Sequence, residues 1–271
     1  MIRNVSLIVM FLAGAVLGQA EQPTGVPALL EAANGKSIRV FLQDASDGSV
    51  TFLPVGASQT ATIPAARVAR LEFFPKEDLV EIERLFMEER ERDALDSFLE
   101  PYAPFMEIPN ALQALYLLQV AADWQVRDVA AVEQAASMLA RCAGDEFFQQ
   151  QGVRYAALVA MEQGDANEVE TWLSRLPSAA ARAYLEAEQL RVQEQPEEAM
   201  EAVIRMIRKH ANEVDWLGPC ELLAAEIYMQ MAMTNSAIET AGLVEQMYAD
   251  SAVAWSARTF LDEWKQDTEA E

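Results

Sequence analysis

Histidine is almost missing from this chain, occurring once as His210, and cysteine occurs only twice, as Cys142 and Cys220. Zinc centres draw on several such side chains at close spacing, so no metal site is expected. A nucleophile with its base and orienting group has equally little to work with. His210 follows Arg208-Lys209 at the end of an expected helix, where positive charge suits the carbonyl end of the helix dipole. Glycines number 11 and never gather into a phosphate-cradling loop; Gly164 and Gly218 stand alone as helix breaks, and no cofactor is expected. Basic residues are scarce: 20 Lys and Arg face 43 Asp and Glu, for a net charge of −23. A surface of that sign repels nucleic-acid phosphates and anionic lipid headgroups, which excludes nucleic acid as a partner. Residues 21–75 are nearly balanced, so the acidity falls on residues 76–271.

Long apolar runs are also lacking. Val5 to Val16 is shorter than the roughly 20 residues a membrane helix needs, so no integral span is expected. Arg3 before that run and Gly18-Gln19-Ala20 after it read as a cleavable export signal over residues 1–20, placing the mature chain in the periplasm or outside the cell. No cysteine near the cleavage site offers a lipid anchor. In an oxidising compartment the two cysteines could pair, but they fall in separate helical segments and read as two buried, inert thiols.

What is present divides in two. From Gly35 to Phe74 the pattern alternates: Ile38, Val40 and Leu42 form one apolar face, Asp47-Gly48 is hairpin chemistry, and Val50 and Phe52 continue on a second strand. Thr60 to Ile63 reads as a third strand, Pro64-Ala65-Ala66 as a tight connection, and Val68, Leu71 and Phe73 as a fourth; Ala28 to Ala33 is expected as a short helix before them. Asp44 and Asp47 do not make a calcium loop, because oxygen ligands do not alternate and no glutamate closes it. The order of these features resembles the SH3-like and Sm-like small β-barrels, which implies a bent module over residues 21–75. Phe41, Phe52, Phe73 and Phe74 are its only aromatics, too few outside the core for a proline-rich ligand.

After Pro75 the composition turns to Ala, Glu, Leu, Gln and Met, good helix formers at helical spacing, as in Leu79, Ile82, Leu85 and Phe86. Breaks at Glu89–Arg92, Pro104, Pro109, Gly144-Asp145, Gly164-Asp165, Pro177, Gln195-Pro196, Gly218-Pro219 and Thr234-Asn235 cut it into pairs. The expected pairs are 77–90 with 92–101, 110–124 with 126–142, 146–162 with 165–175, 179–193 with 196–210, and 219–232 with 234–248, capped by 251–265. Ala94, Ala131, Val169, Ala199 and Ala237 recur at intervals of 30 to 38 residues, near the start of each second helix. Ala157, Ala187 and Ala225 stand 12 residues before the last three, and Tyr228 follows Ala225 by three. These positions, with Gln163-Gly164-Asp165, Glu194-Gln195-Pro196 and Met233-Thr234-Asn235, resemble the tetratricopeptide repeat (TPR). The first two pairs depart, with Ile82 and Gln119 where a small residue belongs. The resemblance implies an α+β, mainly α, multidomain chain: the β module, then a right-handed α-solenoid of antiparallel helix pairs over residues 76–271. Another α-solenoid or an irregular bundle is the competing architecture.

Such arrays commonly take a peptide or a partner's helix along a concave groove. With no catalytic constellation in the sequence, the expected role is a non-enzymatic, exported scaffold that binds a protein or peptide. Paired carboxylates acting on glycan or peptide are the alternative, although Glu88, Glu89 and Glu91 read as a solvated face. Trp124, Trp172, Trp216, Trp255 and Trp264 fall in or beside expected helices. Trp216 and Trp255, with few apolar neighbours at helical spacing, and Tyr228 are the candidate partner-binding residues. Met229, Met231 and Met233 are read as core fillers.

Overall fold

A computed structural model describes residues 24–86, 92–142, 144–249 and 251–270, with side chains described up to Trp264. The expected export signal lies outside these residues, as do Glu88, Glu89 and Glu91. The chain is mainly helical behind a small N-terminal antiparallel sheet.

Five strands form the sheet: β1 Val26–Ala32, β2 Ser37–Ser46, β3 Ser49–Pro54, β4 Ala61–Pro64 and β5 Val68–Phe73. Their order is β4-β3-β2-β1-β5, with every neighbouring pair antiparallel. Alternation sends Ala28, Leu30, Val40, Leu42, Val50, Phe52, Val68 and Leu71 into one core. The β2–β3 turn places Asp47 at φ 50° and Gly48 at φ 69°, the two positive values that a two-residue hairpin of matching twist requires. One expectation is overturned. Ala28 to Ala33 is not a helix; all but Ala33 belong to β1, a strand bonded on both sides. Helix-forming Ala, Leu and Glu are overridden there by two ladders of backbone hydrogen bonds and by burial of Ala28 and Leu30.

The sheet does not close its core alone. Phe105 and Ile108, from the helical part, are buried within it, and Phe73 packs edge-on to Tyr102 at 5.0 Å. The Leu71 amide donates to the Pro109 carbonyl at 2.9 Å. Buried Asn110 holds this junction: its side chain donates to the Ile108 carbonyl at 2.8 Å and accepts from the Leu112 amide at 2.9 Å. Gln113 adds a bond to the Met106 carbonyl at 2.9 Å.

The helices are α1 Leu79–Arg84, α2 Arg92–Leu99, α3 Gln113–Gln125, α4 Val129–Leu139, α5 Glu146–Gln163, α6 Ala166–Ser174, α7 Ala179–Val192, α8 Pro196–Lys209, α9 Val214–Gln230, α10 Thr234–Met247 and α11 Ala252–Ala270. A 3-10 stretch, Glu100–Phe105, replaces the end of the expected second helix, as Pro101 and Pro104 demand. Four inter-helix turns repeat one geometry. Arg127, Gly164, Glu194 and Ala232 each adopt a left-handed conformation, with φ between 58° and 72°. The next amide then reaches back five residues: Asp128 to Asp123 at 2.9 Å, Asp165 to Ala160 at 3.0 Å, Gln195 to Leu190 at 3.0 Å and Met233 to Tyr228 at 2.8 Å. This is the Schellman closure of a helix end. Asp128 and Asp165 then cap the following helix through their carboxylates.

The expected break at Gly218-Pro219 is also overturned: α9 begins at Val214 and runs through it. Pro219 is the sixth residue of α9, so the helix gives up the bond to the Asp215 carbonyl and accommodates the ring against it. Gly218 is small because α11 and the end of α10 lie against it, a Cβ there falling 3.0 Å from Val253 and 3.1 Å from Tyr248. Both cysteines are free and buried. No helix among the described residues is long and apolar enough to cross a membrane.

Candidate functional site

The first helices of the pairs bury nearly every face, whereas α6, α8 and α10 bury one stripe each. In α5 the run Gln151 to Met161 is buried but for Arg154, which is partly so. That difference follows from position. Helices α3, α5, α7, α9 and α11 pack each against the next, and α11 packs back on α3. The inner helices therefore close on themselves, and the centre is filled by their own side chains. Trp255 seals the closure by stacking on Phe86, with ring centroids 5.2 Å apart.

The filling is incomplete at one end. Where α3, α5, α9 and α11 begin, a chamber of about 460 Å³ remains. Leu112 just before α3, Leu115 and Leu118 of α3, Phe148 of α5, Pro219 of α9, and Val253 of α11 supply apolar wall, and Leu79 of α1 lies over it. Phe147 and Val214 stand at the mouth, 39% and 65% exposed, beside the exposed carboxylates of Glu83 and Asp215. A chamber of this size is within the range of small-molecule sites.

Among the described residues, Arg154 is the one cation in the wall. Its guanidinium lies between the rings of Tyr155 and Tyr184, 4.9 Å from each centroid. It donates to the Tyr184 hydroxyl at 3.0 Å and to Gln151 Oε1 at 3.3 Å. Its buried Nε has no hydrogen-bond partner among the described residues, and no carboxylate stands within ion-pair distance. The nearby Glu188 is taken by Arg191, which donates to both its oxygens at 2.8 and 2.9 Å. Arg191 also faces Glu226 at 3.3 Å. Burial pushes the Glu226 carboxyl up to about 7 against the pull of Arg191, with Glu188 adding to the rise. Burial likewise raises the Tyr184 hydroxyl above its ordinary range, while Arg154 opposes it. A glutamate titrating near neutrality is acid–base material. Glu226 is nonetheless held in an ion pair, and neither it nor Glu188 lines the chamber.

The three residues singled out from the sequence do not come together in a site. Trp216 is buried at 3% exposure, its ring 5.6 Å from Tyr184 and its Nε1 donating to Gln150 Oε1 at 3.3 Å. Trp255 is buried at 6% in the α11 closure. Neither presents an anchor to a partner. Each sits near the start of an inner helix, where neighbours come from other helices and spacing along its own helix is silent. Tyr228 is half-buried near the end of α9, and its carbonyl closes the turn to α10. The chamber itself went unread. Its one legible trace is Arg154, a lone charge between Val153 and the apolar run from Tyr155 to Met161.

Among the described residues no group of His, Cys, Asp or Glu side chains is arranged to hold a metal ion. His210 caps the end of α8 and faces Glu213 at 3.1 Å. Compared with models of protein families, with curated proteins and with solved structures, the chain matches none.

Proposed function

We propose that the protein is a non-enzymatic binding scaffold, exported from the cytoplasm, in which divergent TPR-like helix pairs stand behind an SH3-like module. Its partner is a protein that docks over the chamber mouth. A long concave groove is not the docking surface in this reading, because the inner helices close on one another. One observation carries it: Phe147 and Val214, both large and apolar, stand exposed at the rim where four inner helices begin. Exposed apolar groups gathered at a concavity mark interaction sites more often than scattered ones do. The four similar inter-helix turns support the repeat assignment, and the sheet order with its Asp-Gly hairpin supports the module.

The test is capture from an envelope extract with residues 21–271 and with a Phe147→Asp, Val214→Asp double variant of unchanged melting temperature. A protein retained by the first and lost by the second is the expected result. Retention by both moves the partner off the mouth; retention by neither removes the scaffold reading. Export is checked separately, by whether the protein recovered from cells begins at Glu21.

A further inference from the structure

We propose that the chamber beneath the mouth is a ligand site in its own right, for a small aliphatic molecule carrying one carboxylate, with Arg154 receiving the carboxylate. Buried arginines are nearly always matched by an anion. Arg154, partly buried with its Nε wholly so, is an exception among the described residues: two of its donors are spent on neutral oxygens, its Nε bonds to nothing, and the carboxylate whose charge it feels, Glu188, is committed to Arg191. A guanidinium has five donors in a planar fork suited to two carboxylate oxygens. The Arg154 Nε is shut off from solvent, so an anion in the chamber would meet the remaining hydrogen on each of the two Nη atoms, which no group among the described residues takes.

The remainder of the wall sets the rest of the ligand. Leu112, Leu115, Leu118, Phe148 and Val253 offer apolar contact without directional chemistry. Seven residues of α5 separate Phe147 at the mouth from Arg154, about 10 Å of depth at the helical rise. An aliphatic chain of about ten carbons spans that depth with room to spare in the chamber. A peptide fits less well. Each of its amides would enter a wall made of helices whose own backbone groups are already paired, and an unpaired buried amide is costly. Glu83 and Asp215 are exposed at the rim, where solvent and salt screen them, whereas Arg154 acts from below in a drier setting. The site stands independently of the proposed protein partner, and either can fail alone.

The experiment is calorimetric titration of residues 21–271 with decanoate, 1-decanol, decylamine and trileucine, all below micelle-forming concentration. Decanoate is expected to bind one to one and at least tenfold tighter than the other three. Arg154→Met, an apolar replacement of similar length, is expected to reduce decanoate to the level of decanol. Ala114→Trp, at an exposed position on the chamber wall, is expected to weaken decanoate and decanol alike without disturbing the core, which keeps the test valid should the Arg154 variant not fold. Equal binding of decanol and decanoate, a preference for decylamine or trileucine, or no binding at all would overturn the proposal.

Discussion

Gly152 lies in the middle of α5, where alanine would ordinarily be the better residue by about 1 kcal/mol. Here the end of α4 occupies the space. A Cβ on residue 152 would stand 2.7 Å from both the Ala136 carbonyl oxygen and the Leu139 carbonyl carbon, and closer still to the Ala140 amide nitrogen. Carbon contacts settle near 3.5 to 4.0 Å, so the α4–α5 hairpin must open by about 1 Å. The obstacle is backbone, which cannot rotate away as a side chain tip can. Overpacking of this kind costs about 1–3 kcal/mol, and the propensity gain offsets part of it. Gly152→Ala is therefore expected to lose about 1–2 kcal/mol and to melt about 2–8 °C lower. Gly242, inside α10, is the control: nothing lies within 4 Å of its added Cβ. Gly242→Ala is expected to gain about 0.5–1 kcal/mol and melt about 1–4 °C higher. Thermal unfolding followed by circular dichroism reads both. If the Gly152 variant melts at or above the parent temperature, the close approach of α4 and α5 is wrong.

Four further outcomes are expected. Because the Glu226 carboxyl is raised to about 7, the folded chain holds a proton that the unfolded chain has released between about pH 4.5 and 7. Its contribution to stability therefore falls as pH rises through that window, and Glu226→Gln should flatten the dependence in melts at pH 5 and pH 8 while Arg191 keeps Glu188. Arg92 pairs with the buried Asp123 carboxylate, which burial has already raised to about 6. Arg92→Met should cost about 3 kcal/mol at pH 8 in urea unfolding and less at pH 5, where Asp123 takes up a proton. Burial raises both thiols, Cys220 to about 12, so a thiol-reactive dye should label the native protein slowly and the urea-unfolded protein at once. Ala232 holds φ 58° in an inter-helix turn where Gly164 serves the same purpose elsewhere, so Ala232→Gly should add up to about 1 kcal/mol of stability, read as a melting midpoint up to about 4 °C higher.

Much of the local architecture was legible because it rests on local chemistry. Asp47-Gly48 specifies its turn through two positive φ values, and the alternation of Val40, Leu42, Val50 and Phe52 specifies a face. The second helix of each later pair could be placed from Ala199 and Ala237, both wholly buried. What was not legible depends on distant partners. Ala28 to Ala32 joins a strand only because β2 and β5 flank it, and Pro219 stays inside α9, where Cys220, Leu222, Leu223 and Ile227 beyond it are buried. Trp216 and Trp255 looked sparsely supported along their own helices, yet Tyr184 of α7 and Phe86, just beyond α1, cover them. The chamber belongs to this second kind. Its walls come from five helices, and no segment of sequence contains more than a fraction of it.

The packing of α11 on α3 alters how the molecule can come apart. An open stack of repeats frays from its ends, losing one unit at a time, and its stability is close to a sum over neighbours. A stack whose final member rests on an early one has no outermost unit on that side to lose first. The joining contact bridges residues near 113 and residues near 252, so making it carries the entropic cost of a long closure. Cooperativity in this chain is thus a property of a circuit. Damage to any one hairpin loosens the seam as well as its own neighbours, and the chamber, which borders that seam, exists only while the circuit is whole.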